Sequence, residues 1–177
     1  MEAIRLTHTD DPLFAPVWEI YQHSFPLSEQ RTLPHQQTAL RSSDFHFMIY
    51  QEKNIIIGFI GYWEFEDYLY IEHYAINPAL RGGGYGSRIL RDLIRHTQRT
   101  IILEIDEVKD ELSTRRLHFY QRLGFVMNPY LHPLHRYRED TEHQDATLHI
   151  LTYPQTIDAA TYERFRRDLR DIVMKRD

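Results

Sequence analysis

Apolar residues recur along this chain with two periods, one typical of strands and one typical of helices. Segments 45–51, 55–65 and 68–76 are rich in aromatic and β-branched residues and alternate or run apolar, as strands do. Only the short polar segments 52–54 and 66–67 separate them. Connections this short join antiparallel neighbours, so the pattern predicts a three-stranded meander.

The remaining periodic segments predict a mixed α/β fold. Strands are expected at residues 3–7, 100–105, 125–127 and 146–153, and helices at 13–23, 36–41, 86–97, 110–123 and from Asp158 onward. The last helix has an apolar stripe formed by Tyr162, Phe165, Leu169 and Ile172. This order predicts a mostly antiparallel sheet with one parallel step at the crossover helix 86–97.

Glycine is concentrated in one place: four of the seven glycines lie within residues 82–86, where the predicted helix begins. Glycine permits positive φ and close approach to the backbone, and the first turn of a helix offers unpaired N–H groups to an anion. The cluster therefore predicts a phosphate site. No lysine follows it, which argues against a P-loop nucleoside triphosphatase. A dinucleotide site is disfavoured because Ser87 stands where its fingerprint requires glycine and because the preceding strands look antiparallel.

Composition narrows the class of protein. The chain has 177 residues, no cysteine and a net charge of −5. The length fits one domain, and the absence of cysteine excludes disulfides and thiolate metal ligands. The charge argues against a broad nucleic-acid surface. The N-terminus has no signal-like apolar segment and no stretch has membrane-spanning length. We therefore expect a soluble cytoplasmic protein that binds neither nucleic acid nor membrane.

Two sequence motifs identify a family resemblance. Residues 81–86 (Arg-Gly-Gly-Gly-Tyr-Gly) fit the pattern Arg/Gln-x-x-Gly-x-Gly/Ala, and residues 119–125 fit Phe-Tyr-x-x-x-Gly-Phe. The chain resembles the GNAT N-acetyltransferase superfamily over roughly residues 44–128, where these are motifs A and B. The resemblance implies one GNAT-like domain over residues 1–177, with motif A at about 68–97, motif B at about 100–128 and a substrate-side part at about 129–177. It also implies a twisted, mostly antiparallel sheet of about seven strands flanked by about four to five helices.

The resemblance implies an acetyl-CoA-dependent N-acetyltransferase whose glycine loop holds the pyrophosphate of the donor. The pantetheine arm is expected to run beside the strand 68–76 and to pair with its backbone. Because cysteine is absent, a cysteinyl acyl-enzyme is excluded and the amine is expected to attack directly in a ternary complex. The predicted cofactor contacts are Ala75, Ile76, Arg81, Gly82, Gly83, Gly84, Tyr85, Gly86, Ser87 and Ser113.

The resemblance places Tyr120 as the general acid that protonates the leaving thiolate. Ser113 lies seven residues earlier, on nearly the same side of the predicted helix, so one extended cofactor could touch both. The alternative is that Tyr120 is an aromatic residue flanking the core. Ser113 stands where many members carry asparagine, and Arg116 where a small residue is common, which puts the distal cofactor contacts in doubt.

Glu72 is the candidate general base, acting directly or through water. Strict alternation would place it on one face with Tyr68, Tyr70 and Tyr74, where we expect burial to raise its pKa. The alternative is a solvent-facing carboxylate. His73 should point the other way and is expected to be a packed imidazole.

The acceptor site is implied to lie in the segments 25–31 and 130–143. Candidate substrate residues are Glu29, Arg31, Tyr74, Tyr130 and Arg136. These groups suit a small amine that also carries a carboxylate, or a peptide N-terminus. No metal is expected, because Pro133 breaks any helix that would align His132 with His135.

Two other functions remain open from the sequence. A non-catalytic acyl-CoA-binding or regulatory module would keep the glycine loop without the chemistry. Transfer to a hydroxyl, or of a longer acyl chain, is a further alternative. The sequence also leaves a homodimer open.

Overall fold

The computed structural model of the chain describes residues 1–142 and 145–175. Its strands and helices follow the predicted order. They are β1 (Glu2–Leu6), α1 (Phe14–Ser24), α2 (Leu33–Arg41), β2 (Phe45–Glu52), β3 (Ile55–Glu64), β4 (Tyr68–Ile76), α3 (Tyr85–His96), β5 (Thr100–Asp106), α4 (Glu111–Arg122), β6 (Val126–Met127), β7 (His132–Pro133), β8 (Thr147–Tyr153) and α5 (Ala159–Asp168). The described part of the chain contains no helix long and apolar enough to cross a membrane.

The predicted meander β2–β3–β4 is confirmed, with antiparallel pairing throughout. Lys53 and Asn54 form the tight turn between β2 and β3, with φ of 51° and 65°. Two left-handed residues match the twist of a two-residue hairpin, and asparagine tolerates that conformation well. The polar segment that separates these two apolar runs in the sequence therefore sets their register.

The strands form one sheet in the order β1-β2-β3-β4-β5-β8-β6, with β7 paired to β8. Among the strands of the described residues the one parallel pair is β4–β5, joined through α3 as predicted. These two strands pair only where residues 68–70 of β4 meet residues 100–102 of β5. Beyond that short contact β4 continues to Ile76 and β5 to Asp106 without pairing with each other. The sheet therefore splits between its two central strands.

Apolar side chains cover both faces of the sheet. One core layer packs α1, α2 and α5 against one face, and the other packs α3 and α4 against the opposite face. The two layers are represented by Val17, Phe59 and Phe165 on one side and by Ile89, Leu93 and Leu103 on the other, all of which are buried. A sheet covered on both sides agrees with the nearly continuous apolar runs in the central strands.

Two details differ from the sequence expectations. The short strand β7 was not predicted, and it raises the strand count among the described residues to eight. After α5 the chain adopts a π turn over Leu169–Val173, in which the Met174 N–H donates to the Leu169 carbonyl. The wider turn shifts the apolar stripe by one position. Val173 is consequently buried in place of the predicted Ile172, which is 39% exposed.

Candidate active site

A cleft of about 820 Å³ lies where β4 and β5 separate. At one end it is bounded by the glycine loop and the start of α3. At the other end, which we call the acceptor half, it is bounded by Phe25, Pro26, Glu29, Glu104, Leu134, His135 and Tyr137. Between the two ends it passes β4 and α4. The cleft thus joins the motif A segment to the predicted substrate-side segments.

The glycine loop presents backbone to the cleft. Gly82 and Gly84 have φ of 86° and 77°, a conformation that glycine adopts without strain. A Cβ added at either position would meet nothing within 4 Å, so the space in front of the loop is open. Gly84 caps α3 without a side-chain hydrogen bond, and the first turn holds no acidic residue. The loop therefore suits an anion at the positive end of the helix dipole.

The predicted loop residues do not all face the cleft. Arg81, Gly82, Gly84, Tyr85, Gly86 and Ser87 line it, whereas Gly83 does not. A Cβ on Gly83 would lie 3.3 Å from the Tyr85 ring. Gly86 is required for a different reason, since a Cβ there would lie 2.6 Å from the Tyr74 hydroxyl.

Tyr74, which was predicted as a substrate residue, lies next to Gly86 at the glycine-loop end of the cleft. Its ring packs on the α3 side of the sheet. The hydroxyl is buried and has no hydrogen-bond partner within the described ranges. Burial raises the pKa of this phenol, so the group stays neutral.

The edge of β4 that faces the cleft carries unpaired backbone. On its other edge Ala75 pairs with Phe59 of β3, and Ile76 pairs with Gly58. No strand of the described chain pairs with β4 on the cleft side beyond Tyr70. Ala75 and Ile76 line the cleft along this unpaired edge, and their pairing with an extended pantetheine arm stays a prediction.

Tyr120 lines the middle of the cleft from α4. Its ring contacts those of Phe119 and Phe125 edge to face. Burial raises the pKa of Tyr120 to about 12, with a smaller opposing effect from Arg116. No hydrogen bond to its hydroxyl is present in residues 1–142 and 145–175, so the proton is available to a ligand. The hydroxyl therefore stays protonated, and its role as general acid stays a prediction.

Ser113 lies outside the cleft lining, contrary to the helix-face argument. Its hydroxyl donates to the Asp110 carboxylate at 2.7 Å and accepts from the backbone N–H of Asp110 at 3.1 Å, forming a capping box. The serine is therefore committed to starting α4. From this helix it is Leu112, Arg115, Arg116 and Phe119 that line the cleft beside Tyr120.

The environment of Glu72 is set by a β-bulge. Tyr62 pairs with Ile71 and Gly61 pairs with His73, which leaves Glu72 as an extra residue in β4. A bulge interrupts the alternation of side chains. As a result Tyr74 lies on the opposite face from Tyr68 and Tyr70, and His73 turns to the same side as Glu72. The expectations that Glu72 shares its face with Tyr74 and that His73 points away are therefore wrong.

The Glu72 carboxylate is fully enclosed by donors. Arg31 Nη2 lies 2.7 Å from both carboxylate oxygens, Trp63 Nε1 donates at 2.7 Å, and the Tyr137 hydroxyl donates at 3.2 Å. Burial by itself would raise the pKa of Glu72, but the Arg31 guanidinium outweighs it and the pKa is lowered. The predicted rise is therefore wrong. The role of Glu72 as general base stays a prediction, and a carboxylate that already accepts these donors is poorly suited to it.

Three predicted substrate residues form hydrogen bonds outside the cleft. Besides its ion pair, Arg31 donates to the Val173 carbonyl at 2.9 Å. Arg136 donates to the carbonyls of its own loop at residues 138, 139 and 141. Tyr130 donates to the Ile157 carbonyl at 2.7 Å and stacks on Tyr162. None of the three lines the main cleft.

Glu29 does lie where a substrate residue was predicted. Its backbone carbonyl accepts a 2.8 Å hydrogen bond from His73 Nε2, which fixes the segment against β4. No hydrogen bond or ion pair to its carboxylate is present within the described parts of the chain. Burial raises the pKa of Glu29, nearby Asp106 adds to the rise, and Arg116 opposes it.

A second ionisable cluster, formed by Glu104, His132 and His135, was not predicted. Glu104 Oε2 lies 2.5 Å from His132 Nε2 and 3.0 Å from His135 Nε2. Burial would raise the pKa of Glu104, but the two imidazoles hold it far below the usual range. Pro133 does prevent a helix, yet β7 brings the rings together by pairing with β8, next to β5. The His-x-x-His spacing was visible in the sequence, whereas Glu104 required the order of the strands.

Comparisons with known proteins agree with this geometry. The family model "Acetyltransferase (GNAT) family" matches residues 14–125. A GNAT-family protein of Bacteroides thetaiotaomicron has a solved structure that covers all of both chains, with 32% identity and a TM-score of 0.90. "Putative acetyltransferase YjbC" of Bacillus subtilis (strain 168) is 26% identical over 110 residues, which are 61% of this chain and 55% of its own length. The match thus spans little more than half of that relative.

An aminoglycoside 6'-N-acetyltransferase complexed with coenzyme A shares the fold at 12% identity. The match covers 89% of this chain and 99% of that one, with a TM-score of 0.67. A split α/β sheet with a glycine loop at the start of its crossover helix defines an acetyltransferase fold, and the family match covers both motifs. The chain belongs to the GNAT acetyltransferase family.

Proposed function

We propose that the protein transfers the acetyl group of acetyl-CoA to a primary amine by direct attack in a ternary complex. The observation that carries this proposal is the continuous cleft. It runs from the glycine loop, past the unpaired edge of β4 and the free Tyr120 hydroxyl, to the Glu29 carboxylate. Holding two reactants in attack geometry can contribute roughly 7–11 kcal/mol to catalysis.

The residues present fit coenzyme A at one end. The N–H groups at the start of α3 would hold the pyrophosphate, with Arg81 beside them. Ala75 and Ile76 would pair with the amides of the pantetheine arm. The arm would then lead the thioester to Tyr120.

The chemistry assigned to the site combines acyl transfer with three proton movements. Glu29, whose raised pKa makes it a better base than an exposed glutamate, takes a proton from the bound ammonium and frees the nitrogen lone pair. That nitrogen attacks the thioester carbon, a C–N bond forms, the C–S bond breaks, and the nitrogen loses its second proton to solvent. Tyr120 gives its proton to the leaving thiolate. The buried ion pair of Glu72 instead holds the 25–31 segment against β4, so we assign Glu72 a positioning role.

The acceptor half favours an amine without a nearby carboxylate. Of its acidic neighbours, Asp106 pairs with Arg116 at 2.8 Å and Glu104 pairs with two histidines. Glu29 is the carboxylate there without a partner among the described residues. Two arginines were predicted to hold a substrate carboxylate. Arg31 instead binds the Glu72 carboxylate, and Arg136 binds the carbonyl of Arg138. This charge pattern provides one unpaired carboxylate for an ammonium. Of the two acceptors that the sequence left open, it favours a peptide N-terminus or simple amine over an amine that also carries a carboxylate.

A thiol-release assay with matched amines tests both parts of the proposal. Amino-acid amides and simple diamines should be acetylated faster than the corresponding free amino acids, which differ by one carboxylate. A preference for the free acids would overturn the substrate class. Coenzyme A binding without turnover on any amine would instead support a non-catalytic acyl-CoA-binding module. Product mass would separate acetyl transfer from transfer to a hydroxyl or of a longer acyl chain.

A further inference from the structure

The cluster of Glu104, His132 and His135 has the composition of a metal site. One carboxylate oxygen and two imidazole nitrogens converge, with all three atoms within 4.8 Å of one another. They come from β5, β7 and the segment after β7. Their side chains are 10%, 1% and 15% exposed, so the cluster is largely enclosed.

The His132 ring is held between two oxygens. Its Nδ1 lies 2.8 Å from the Tyr162 hydroxyl, and its Nε2 lies 2.5 Å from Glu104 Oε2. Nδ1 can donate to the Tyr162 hydroxyl, which can in turn donate to the Leu131 carbonyl at 3.4 Å. In that tautomer the Nε2 lone pair is open to a metal ion that would lie between the ring and the Glu104 carboxylate.

The surrounding contacts are those that orient metal ligands. A ligating histidine commonly donates its other N–H to an oxygen acceptor, and the Tyr162 hydroxyl lies 2.8 Å from His132 Nδ1, in position to accept it. Glu104 accepts the Tyr70 hydroxyl through Oε1, which leaves Oε2 for the cluster. Two imidazoles and one carboxylate form a ligand set typical of catalytic zinc, in which a fourth position stays open. Glu104 and His135 line the cleft, so that position would face the acceptor half.

Metal binding requires a small expansion of the cluster. Two bonds of zinc to nitrogen and oxygen at a tetrahedral angle place the ligand atoms about 3.3 Å apart. The His135–Glu104 separation of 3.0 Å is already close to this value, whereas the His132–Glu104 separation of 2.5 Å must open. His135 can supply part of that movement, because it follows the two-residue strand β7 in a segment without further regular structure.

We propose that Glu104, His132 and His135 form a binding site for Zn²⁺ or a chemically similar divalent transition-metal ion in the acceptor half of the cleft. The site is distinct from the groups assigned to acetyl transfer, which are Tyr120, Glu29 and the glycine loop. A bound ion would present its open position to the ligand in the acceptor half and would add positive charge opposite Glu29.

Metal binding is measured directly on the full chain after dialysis against a chelator. Zn²⁺ is titrated in competition with a chromophoric chelator, and Co²⁺ is added separately because tetrahedral Co²⁺ has strong visible absorption. The wild type should bind one equivalent and develop the tetrahedral spectrum. His135→Ala and Glu104→Gln should each weaken binding at least 10-fold, as expected from loss of one ligand.

His118→Ala is the matched control, because His118 is an exposed histidine on α4 away from the cluster. It should leave both the affinity and the Co²⁺ spectrum unchanged. His135→Gln provides a milder substitution if the alanine variant misfolds, as judged by circular dichroism. Equal affinity in the wild type and both His135 variants, or a six-coordinate spectrum, would overturn the site. Neither readout uses acetyl-CoA, so the outcome is independent of the proposed function.

Discussion

Arg31 and Glu72 form an ion pair that is almost wholly removed from solvent. Their side chains are 5% and 0% exposed, and Arg31 Nη2 lies 2.7 Å from the carboxylate. The same guanidinium donates to the Val173 carbonyl in the π turn. The pair thus ties the segment before α2, the bulge in β4 and the C-terminal part of the described chain together beneath the cleft.

We expect Arg31→Met to destabilise the protein by about 3–5 kcal/mol, because it leaves the Glu72 carboxylate buried without its charge partner. Urea unfolding followed by circular dichroism measures the change. The double variant Arg31→Met/Glu72→Leu should recover much of the loss, since neither charge remains. A single variant as stable as the wild type would show that the pair contributes little.

Tyr120→Phe should lower kcat by about 10²–10⁴-fold, because it removes the proton that the leaving thiolate requires. Coenzyme A affinity, measured by calorimetry, should change little, since the ring and its contacts with Phe119 and Phe125 remain.

Tyr74→Phe is the control within the same cleft. Its hydroxyl is buried and has no hydrogen-bond partner in the described chain, so its removal should cost no activity. It should leave stability unchanged or raise it by about 1 kcal/mol, because an unsatisfied polar group is lost. Equal kcat in the wild type and Tyr120→Phe would contradict the role given to Tyr120.

Gly84→Ala should weaken coenzyme A binding at least 10-fold and lower stability by about 1–2 kcal/mol. The φ of 77° at this position strains any residue with a Cβ, so the loop would have to change shape. Gly83→Ala is the matched control. Gly83 does not have a positive φ. Its added Cβ would crowd the Tyr85 ring at 3.3 Å, which can move, and would lie at ordinary contact distance, 3.5 Å, from the Leu80 carbonyl. Calorimetric titration of coenzyme A into both variants measures the difference, and equal affinities would remove the glycine loop from the cofactor site.

The sequence predicted the parts of the fold that depend on local pattern. The meander, the crossover helix and the glycine cluster each follow from periodicity or from residues with special backbone freedom. Gly82 and Gly84 could be assigned to an irregular loop before the helix because glycine is the residue that adopts positive φ without strain.

Prediction from the sequence failed where an extra residue in a strand, or a partner distant in the chain, decides where a side chain points and what it contacts. The bulge at Glu72 reverses the side-chain alternation that had placed Tyr74 beside it. Arg31 lies 41 positions from Glu72, and its pairing lowers a pKa that burial alone would raise. Ser113 has the same angular position on α4 as expected, but the capping box takes its hydroxyl. Each case depends on a competing contact that periodicity does not encode.

The pH dependence of turnover should report the titration of Glu29. Burial raises its pKa above the usual 4.5, with a further rise from Asp106 and Glu104 and opposing effects of Arg116 and His135. The ionised carboxylate accepts the proton of the amine, so kcat/KM should fall as the pH drops through this raised pKa. Measuring kcat/KM against pH in the presence of a chelator, with a diamine as acceptor, gives this fall, which is the acidic limb of the pH profile.

Glu29→Gln should lower kcat/KM about 10²-fold or more and abolish that limb. Asp106→Asn should move the limb to lower pH, because it removes a neighbouring negative charge and frees Arg116. An acidic limb that persists unchanged in Glu29→Gln would show that another group accepts the proton.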